Sequence, residues 1–238
     1  MSIKSFITEE KFFHYFQPIY DLWHSQIIGY EVLLRSYEYP NPEHTFQEAK
    51  KEKQLYELDS RSIHKAVKTY QSEGSLGKDG NLFLNVFPST ILNPNFPSFL
   101  NQIINQSNLK SQQIVLEILE SESISDFNSF KAQICNLKSS GYLIAIDDFG
   151  NGSSDFRSVI EIEPNYLKLD RYFAQDLHQS KQKQSIIKFM DRYCKEYDCQ
   201  LILEGIETTE EIAMAKELQI PIGQGYILGR PGLLKEIV

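Results

Sequence analysis

The sequence has few of the residues that bind zinc or build disulfide frameworks. Its three cysteines, Cys135, Cys194 and Cys199, are an odd and sparse set, which supplies no disulfide scaffold for a secreted domain. The five histidines are scattered and no Cys-x-x-Cys pair is present, so a structural zinc site lacks ligands at the usual spacing. We therefore expect a protein of the reducing cytoplasm, in which any bound metal is held by oxygen atoms.

A long apolar run and an excess of basic charge are also missing. The N-terminal segment MSIKSFITEEKFFHYF mixes charged with apolar residues, and no apolar run approaches the ~20 residues that span a bilayer. We expect neither a signal peptide nor membrane insertion. The 24 Lys and Arg against 32 Asp and Glu give a net charge of -8, which argues against a broad DNA-binding surface.

The sequence does contain enough apolar material for a substantial core. Of its 238 residues, 41% are hydrophobic, which excludes intrinsic disorder and is compatible with one large domain or two small ones. No internal repeat, low-complexity tract or linker divides the chain. We therefore expect one domain over residues 1–238.

Strand-like and helix-like segments alternate along the chain. Eight short runs rich in β-branched or aromatic residues predict strands: FHYFQPIYDL, QIIGYEVLLRSY, NLFLNVF, QIVLEIL, YLIAIDDF, NYLKLDRYF, QLILEGI and PIGQGYIL. Amphipathic stretches between them predict helices over 43–70, 95–106, 126–139, 181–197 and 209–218. This alternation is typical of a largely parallel sheet covered by helices.

The first connection breaks the pattern. Only about three residues, His24-Ser25-Gln26, separate the first two strands, which is too short for a crossover helix, so these strands must pair antiparallel. An open doubly wound sheet would explain the alternation equally well, but no G-x-G-x-x-G loop or P-loop follows a strand. We favour an α/β fold of the TIM-like (β/α)8 barrel type with an irregular start.

Polar residues recur toward the carboxyl ends of the predicted strands. They are Glu31, Asn85, Glu117, Asp147, Asp148, Lys168, Glu204 and Gln224. Taken singly, each has a structural explanation, such as a solvated strand glutamate or a surface ion pair between Lys168 and Asp170. Their recurrence at matching positions favours convergence, because active sites of β/α barrels form at the carboxyl ends of several strands.

Carboxylates gathered at one barrel mouth would repel one another and take up protons unless a cation neutralised them. Oxygen ligands without thiolate or imidazole favour Mg²⁺ or Mn²⁺, with Ca²⁺ as an unproductive competitor. Two such ions ~4 Å apart suit phosphoester hydrolysis, because they stabilise both the attacking and the leaving oxygen. The sequence therefore predicts a metal-dependent phosphoesterase site.

These residues lie in blocks that resemble the EAL-domain cyclic di-GMP phosphodiesterases over essentially the whole chain. The segment QPIYDLWHSQIIGYEVLLR is similar to the family's opening Gln-Pro-Ile strand and its Glu-Ala-Leu signature, which reads Glu31-Val32-Leu33 here. Six further blocks follow in the family's order: LFLNVFP, IVLEILE, IAIDDFGNG, YLKLDRYF, LILEGIET and GQGYILGRP. Agreement over all of these blocks makes the resemblance specific.

The resemblance implies a barrel whose first strand is antiparallel, and a defined reaction. The expected activity is hydrolysis of cyclic di-GMP to linear pGpG by water activated between two metal ions, Mg²⁺ or Mn²⁺, with Ca²⁺ inhibitory. It also implies a homodimer through the helix that follows Asp147 and Asp148. Regulation would come from a protein partner or from control of expression.

The resemblance also implies roles for individual residues. One ion would be held by Glu31, Asn85, Glu117 and Asp147, and the second by Asp147, Asp148 and, directly or through water, Glu204. Lys168 would orient the nucleophilic water, with Glu31, Asp147 and Glu204 completing the catalytic set. Arg35 would bind a substrate phosphate, and Gln17 and Gln224 would line the substrate groove. Glu207 would lie at the rim, Asp170 would support the site from behind, and Glu120 would clamp the neighbouring loop.

One loop departs from the family pattern. Where the family commonly reads Asp-Phe-Gly-Thr-Gly-Tyr-Ser-Ser-Leu, residues 148–156 read DFGNGSSDF, a change that could reduce turnover or alter dimerisation. An alternative function is therefore an EAL domain with little or no activity that acts as a cyclic di-GMP receptor or a protein-interaction module. A barrel phosphatase for another phosphoester would explain the metal site but not the order of the blocks.

Overall fold

Eight strands form the centre of the fold. The computed structural model describes residues 2–73, 80–119, 122, 124, 126–151 and 156–237. The strands close into a barrel in chain order. They are β1 Phe13–Asp21, β2 Gln26–Arg35, β3 Asn81–Val86, β4 Ile114–Ile118, β5 Leu143–Phe149, β6 Tyr166–Leu169, β7 Gln200–Leu203 and β8 Ile222–Gly223. Each sequence-predicted strand contains one of these, so the TIM-like barrel is confirmed.

The first strand runs against its neighbours. β1 pairs antiparallel with both β2 and β8, with Gln17 opposite Glu31, whereas the other neighbouring strands pair in parallel. The connection from β1 to β2 is tight because Asp21 Oδ1 accepts hydrogen bonds from the backbone N–H groups of Trp23 and His24 at 2.7 and 2.9 Å. The antiparallel first strand expected from this short connection is therefore confirmed.

Helices surround the barrel. They are α1 Ile3–Thr8, α2 Pro42–Lys51, α3 Leu55–Glu73, α4 Pro88–Ile91, α5 Phe96–Asn105, α6 Phe127–Ser139, α7 Phe156–Ile162, α8 Lys181–Glu196, α9 Thr209–Glu217 and α10 Leu234–Ile237. Within the described part of the chain, no helix combines the length and the apolar character needed to cross a membrane. The sequence predicted α5, α6, α8 and α9 but not α1, α4, α7 or α10.

The predicted helix over 43–70 is wrong as one element, because the structure divides it into α2 and α3. The chain turns at Lys53, whose backbone has a left-handed φ of 56°, and the N–H of Gln54 returns to the carbonyl of Ala49 at 2.7 Å. A left-handed residue with such a backbone bond is a typical helix end. A lysine at this position carries no sequence signal of a break, which is why the periodicity alone missed it.

Candidate active site

A layer of polar side chains lies next to the apolar interior of the barrel. The interior cluster includes Phe83, Val115, Ala145, Tyr166 and Ile202. Two residues further along the chain from these five come Asn85, Glu117, Asp147, Lys168 and Glu204. Because side chains two apart in a strand point to the same face, the polar layer follows the apolar one at the carboxyl ends of the strands.

Lys168 lies at the centre of this layer. Its Nζ atom is 2.7 Å from Glu117 Oε1, 2.8 Å from Asp147 Oδ1 and 2.9 Å from Glu204 Oε1. Glu31 Oε2 is 3.5 Å away. Burial by itself would lower the pKa of Lys168, but the surrounding carboxylates outweigh it and hold this pKa well above its ordinary value. The ammonium therefore stays charged.

One ammonium does not neutralise the surrounding acids. Burial, together with neighbouring carboxylates such as Glu31 and Asp147, raises the pKa values of Glu117 and Glu204 well above their ordinary range, against the opposing effect of Lys168. Burial and the charge of Asp147 also raise the pKa of Asp148 to about 6. Without a further cation, these three carboxyl groups therefore keep their protons at pH values at which ordinary carboxyl groups have lost them.

The carboxylates form two overlapping groups that fit divalent cations. Glu31, Glu117 and Asp147 can bring one oxygen each within 4.8 Å of one another, and so can Asp147, Asp148 and Glu204. Asp147 belongs to both groups, as expected of a ligand that bridges two ions. Both oxygens of Glu117 and Oδ1 of Asp147 are buried without a directed hydrogen bond. Hard carboxylate oxygens such as these suit Mg²⁺ or Mn²⁺.

Asp148 reaches this cluster through an irregularity in β5. The pairing register with β6 shifts between Ile146 and Phe149, and Asp148 itself has a left-handed φ of 51°. In a regular strand, two adjacent aspartates would point to opposite faces. The bulge removes this conflict and allows Asp147 and Asp148 to serve the same site.

Two amides approach Glu31 from opposite sides. Gln224 Nε2 donates to Oε2 of Glu31 at 2.7 Å, and Asn85 Nδ2 is 3.4 Å from its Oε1. Gln224 thus contacts Glu31, one of the predicted metal ligands, whereas Gln17 donates to the carbonyl of Gly229 at 3.1 Å. Both glutamines, with Glu204 and Glu207, line a cavity of ≈190 Å³ above the polar layer.

Arg35 lies on the other side of the mouth. Together with Asn85 and Asp148, it lines a second cavity of ≈530 Å³ with apolar walls that include Phe46. Its Nη1 donates to the carbonyl of Leu34 at 2.8 Å, and its guanidinium lies 5.6 Å from the ring centre of Tyr15. These contacts hold the guanidinium at the edge of the site. Burial lowers the pKa of Arg35, while nearby Glu31 opposes this shift.

The remaining predicted residues occupy different positions. Asp170 accepts from the backbone N–H of Tyr172 at 2.8 Å and begins the short 3-10 helix after β6. It also contributes to the raised pKa of Asp148. Glu207 is exposed at the rim, and Glu120 lies outside the described residues.

Two residues near the site were missed by the sequence reasoning. Glu211 accepts from the backbone N–H groups of Glu207 and Thr208 at 2.8 and 3.1 Å, so it holds the loop after Glu204; the Thr-x-x-Glu capping pattern was the available signal. Arg171 lines the smaller cavity. It lies against Gly205, where a Cβ atom would be 2.3 Å from Arg171 Cβ.

Comparison with known proteins agrees with this architecture. Residues 2–231 match the family profile described as EAL domain. The chain is 29% identical over 219 residues to the blue light- and temperature-regulated antirepressor BluF of Escherichia coli, covering 92% of this chain and 54% of that protein. It is 27% identical over 222 residues to the cyclic di-GMP phosphodiesterase RocR of Pseudomonas aeruginosa, covering 91% and 56%. The chain thus spans about half the length of these curated relatives.

Solved structures show the same fold. The Klebsiella pneumoniae protein BlrP1, in a complex with calcium and cy-diGMP, superposes with a TM-score of 0.86 at 28% identity, covering 94% of this chain and 56% of that chain. Its complex with manganese and cy-diGMP at pH 9.0 gives a TM-score of 0.85. The family expected from the sequence blocks is confirmed: this chain belongs to the EAL domain family.

Proposed function

We propose that this protein is a metal-dependent phosphodiesterase that hydrolyses cyclic di-GMP to linear pGpG. The observation that carries the proposal is the pair of three-carboxylate groups that share Asp147 around buried Lys168. Family membership and a relative named as a cyclic di-GMP phosphodiesterase support a hydrolase of this substrate. The manganese and cy-diGMP complex of BlrP1 supports a divalent-cation requirement.

The chain's oxygen atoms would hold two ions, either Mg²⁺ or Mn²⁺. Glu31, Asn85, Glu117 and Asp147 would hold one, and Asp147, Asp148 and Glu204 the other. When bound, such ions stabilise charge on phosphoryl oxygens and lower the pKa of water toward neutrality. We infer that Ca²⁺ binds the same oxygens without supporting turnover, because its larger, more flexible coordination sphere fixes geometry less strictly.

Lys168 is proposed to orient the attacking water. Its side chain is fully buried, and its Nζ lies within 2.9 Å of carboxylate oxygens of Glu117, Asp147 and Glu204. An ammonium at this position donates to a water oxygen and favours the loss of that water's proton. No strong side-chain base is then required.

Arg35 and the two cavities are proposed to bind the nucleotide. The fork of the Arg35 guanidinium suits a phosphate oxygen pair, and its contact with the Tyr15 ring limits its motion. The ≈530 Å³ cavity beside Asn85 and Asp148 offers Phe46 and Phe87 as apolar walls for a base. Gln17, Gln224 and Glu207 would complete the opposite wall.

The proposed setting is a cytoplasmic homodimer under the control of a protein partner. The three cysteines are free thiols, which supports a reducing compartment. On α7, Phe156 and Ile160 expose 53% and 59% of their surface, which supports a dimer contact at this helix. We also propose that residues 1–238 form a single domain.

The test is a direct assay. Purified protein is incubated with cyclic di-GMP and Mn²⁺ or Mg²⁺, and the nucleotides are followed by chromatography. We expect pGpG from the wild type and from Glu217→Ala, which changes an exposed carboxylate on α9, but not from Glu31→Ala. Binding of cyclic di-GMP without product in either metal would contradict the enzyme.

The second candidate is a receptor or protein-interaction module. It is favoured by the 29% identity to a relative named as an antirepressor. The same assay distinguishes the two, because a receptor retains cyclic di-GMP at equilibrium and releases it unchanged. Absence of both binding and product would contradict the enzyme and the receptor, and would leave only the protein-interaction module.

A further inference from the structure

The end of α8 brings two cysteines together. Cys194 lies in the last turn of α8, and Cys199 precedes β7. The backbone N–H of Cys199 donates to the carbonyl of Cys194 at 2.9 Å, and Asp198 between them has a left-handed φ of 53°. This is the backbone pattern of a Schellman helix end, in which the side chains of these two positions contact each other.

The two thiols interact directly, and their pKa values shift in opposite directions. Both side chains are buried, with 1% and 8% of their surface exposed for Cys194 and Cys199. The hydrogen bond between the thiols raises the pKa of Cys194, and burial raises it further. The same hydrogen bond lowers the pKa of Cys199. Cys199 is therefore the better nucleophile of the pair.

Cys199 also lies at the wall of a cavity on the opposite side of the barrel from the carboxylate cluster. The cavity has a volume of ≈950 Å³, and its lining includes Tyr166, Lys195, Cys199 and Gln200. Cys199 lines this cavity and Cys194 is more deeply buried, so we expect a small neutral molecule to approach the side chain of Cys199 first. Cys135 is instead exposed on α6 and offers a separate thiol for comparison.

We propose that Cys194 and Cys199 form a redox modification site, at which a small peroxide converts the two thiols into a reversible intramolecular disulfide. The helix end already holds the two side chains in contact, so closure needs little backbone movement, as disulfide geometry requires. The site is separate from the carboxylate cluster, so it does not rest on the proposed phosphodiesterase activity.

The chemistry takes place in two balanced steps. The Cys199 thiolate attacks hydrogen peroxide, so that an S–O bond forms, the O–O bond breaks and hydroxide leaves with the thiol's proton as water. The Cys194 sulfur then attacks the resulting sulfenic acid, so that the S–S bond forms, the S–O bond breaks and a second water leaves. The two sulfurs lose two electrons, which reduce the peroxide. A dithiol reductant restores both thiols by exchange.

The test uses the full chain as Cys135→Ser, which removes the exposed thiol. Folded protein is treated with hydrogen peroxide, the peroxide is removed with catalase, and the protein is unfolded in N-ethylmaleimide. Intact mass spectrometry counts the alkylated thiols. We expect loss of both alkylation sites with loss of two hydrogens from the mass, and recovery of both sites after dithiothreitol. Two alkylated thiols after peroxide, or added oxygen without a disulfide, overturns the proposal.

Two further variants test the order of the steps. In Cys194→Ser, the sulfenic acid on Cys199 has no partner, so we expect a dimedone adduct at residue 199. In Cys199→Ser, we expect Cys194 to remain a thiol. Adducts with the reverse distribution overturn the assignment of Cys199 as the attacking thiol. Circular dichroism checks that both variants fold. The alkylation count in Cys135→Ser tests the disulfide even if neither of these two variants folds.

Discussion

Gln224 Nε2 donates a 2.7 Å hydrogen bond to Oε2 of Glu31, joining residues 193 positions apart in the sequence. The contact extends from the end of β8 past β1 to β2. On the other side of Glu31, Asn85 Nδ2 approaches Oε1 at 3.4 Å. The carboxylate is therefore oriented by neighbouring amides, and such outer contacts tune how well a ligand binds its metal.

We expect Gln224→Leu to weaken Mn²⁺ binding by about 10–100-fold, because Glu31 loses the donor that fixes its orientation. Isothermal titration calorimetry with Mn²⁺ measures the effect without any assay of turnover. The matched control is Gln102→Leu, which makes the same change on the exposed face of α5. Equal affinities in wild type and Gln224→Leu would show that Glu31 needs no such support.

Much of this site follows from a period of two in the sequence. Val115 and Glu117, or Tyr166 and Lys168, are two residues apart in short apolar runs, so the polar member shares the barrel interior with the apolar one. Because strands alternate with helices along the chain, the polar members are then predicted to meet at one end of the barrel. This is why the barrel and its polar cluster could be predicted from the sequence alone.

Other features required the folded chain. The left-handed backbone of Asp148 and the register shift in β5 were not predicted from the sequence, because aspartate tolerates such angles without requiring them. The central position of Lys168 among four carboxylates was likewise not predictable, because a strand lysine pairs equally well with a local partner such as Asp170. The backbone of Asp148 and the position of Lys168 both depend on contacts between segments that are distant in the sequence.

Lys168 acts as an internal counter-ion, so its removal should affect the metal-free protein most. We expect Lys168→Met to lower the free energy of unfolding in EDTA by about 3–5 kcal/mol, because Glu117, Asp147 and Glu204 lose their buried cation. Mn²⁺ should recover a large part of this loss. Urea denaturation with and without Mn²⁺ measures it.

The control for this prediction is Lys188→Met, which removes an exposed lysine on α8 and should change stability by less than about 0.5 kcal/mol. If Lys168→Met is destabilised equally in EDTA and in Mn²⁺, the amine contributes packing rather than charge.

Metal binding should release protons. Burial raises the pKa values of Glu117 and Glu204 well above their ordinary range and that of Asp148 to about 6. A cation must displace the protons that these groups hold, so the apparent Mn²⁺ affinity should rise as the pH is raised through about 6 and above. Calorimetry in two buffers of different ionisation enthalpy measures the released protons, and identical binding heats in both buffers would argue against proton displacement.

Asp59 should make stability fall with rising pH. The residue is 2% exposed on α3, its Oδ2 accepts from the backbone N–H of Phe87 at 3.1 Å, and burial raises its pKa from 3.8 to about 7. Between these two pH values the folded chain retains a proton that the unfolded chain releases. The stabilising contribution of the protonated Asp59 is therefore complete below the unfolded pKa of 3.8. It declines as the pH rises and is lost above about 7.

Asp59→Asn isolates this effect, because the amide keeps an acceptor for Phe87 and resembles the protonated acid. At pH near 4 we expect the variant and the wild type to have similar free energies of unfolding. At pH near 8 the variant should be more stable by about 2–4 kcal/mol, since it has no charge to bury. Urea denaturation of both proteins across this range gives the difference, in which the shared titration of the active-site acids cancels. A difference that is constant with pH would mean that Asp59 does not titrate between its unfolded and folded pKa values.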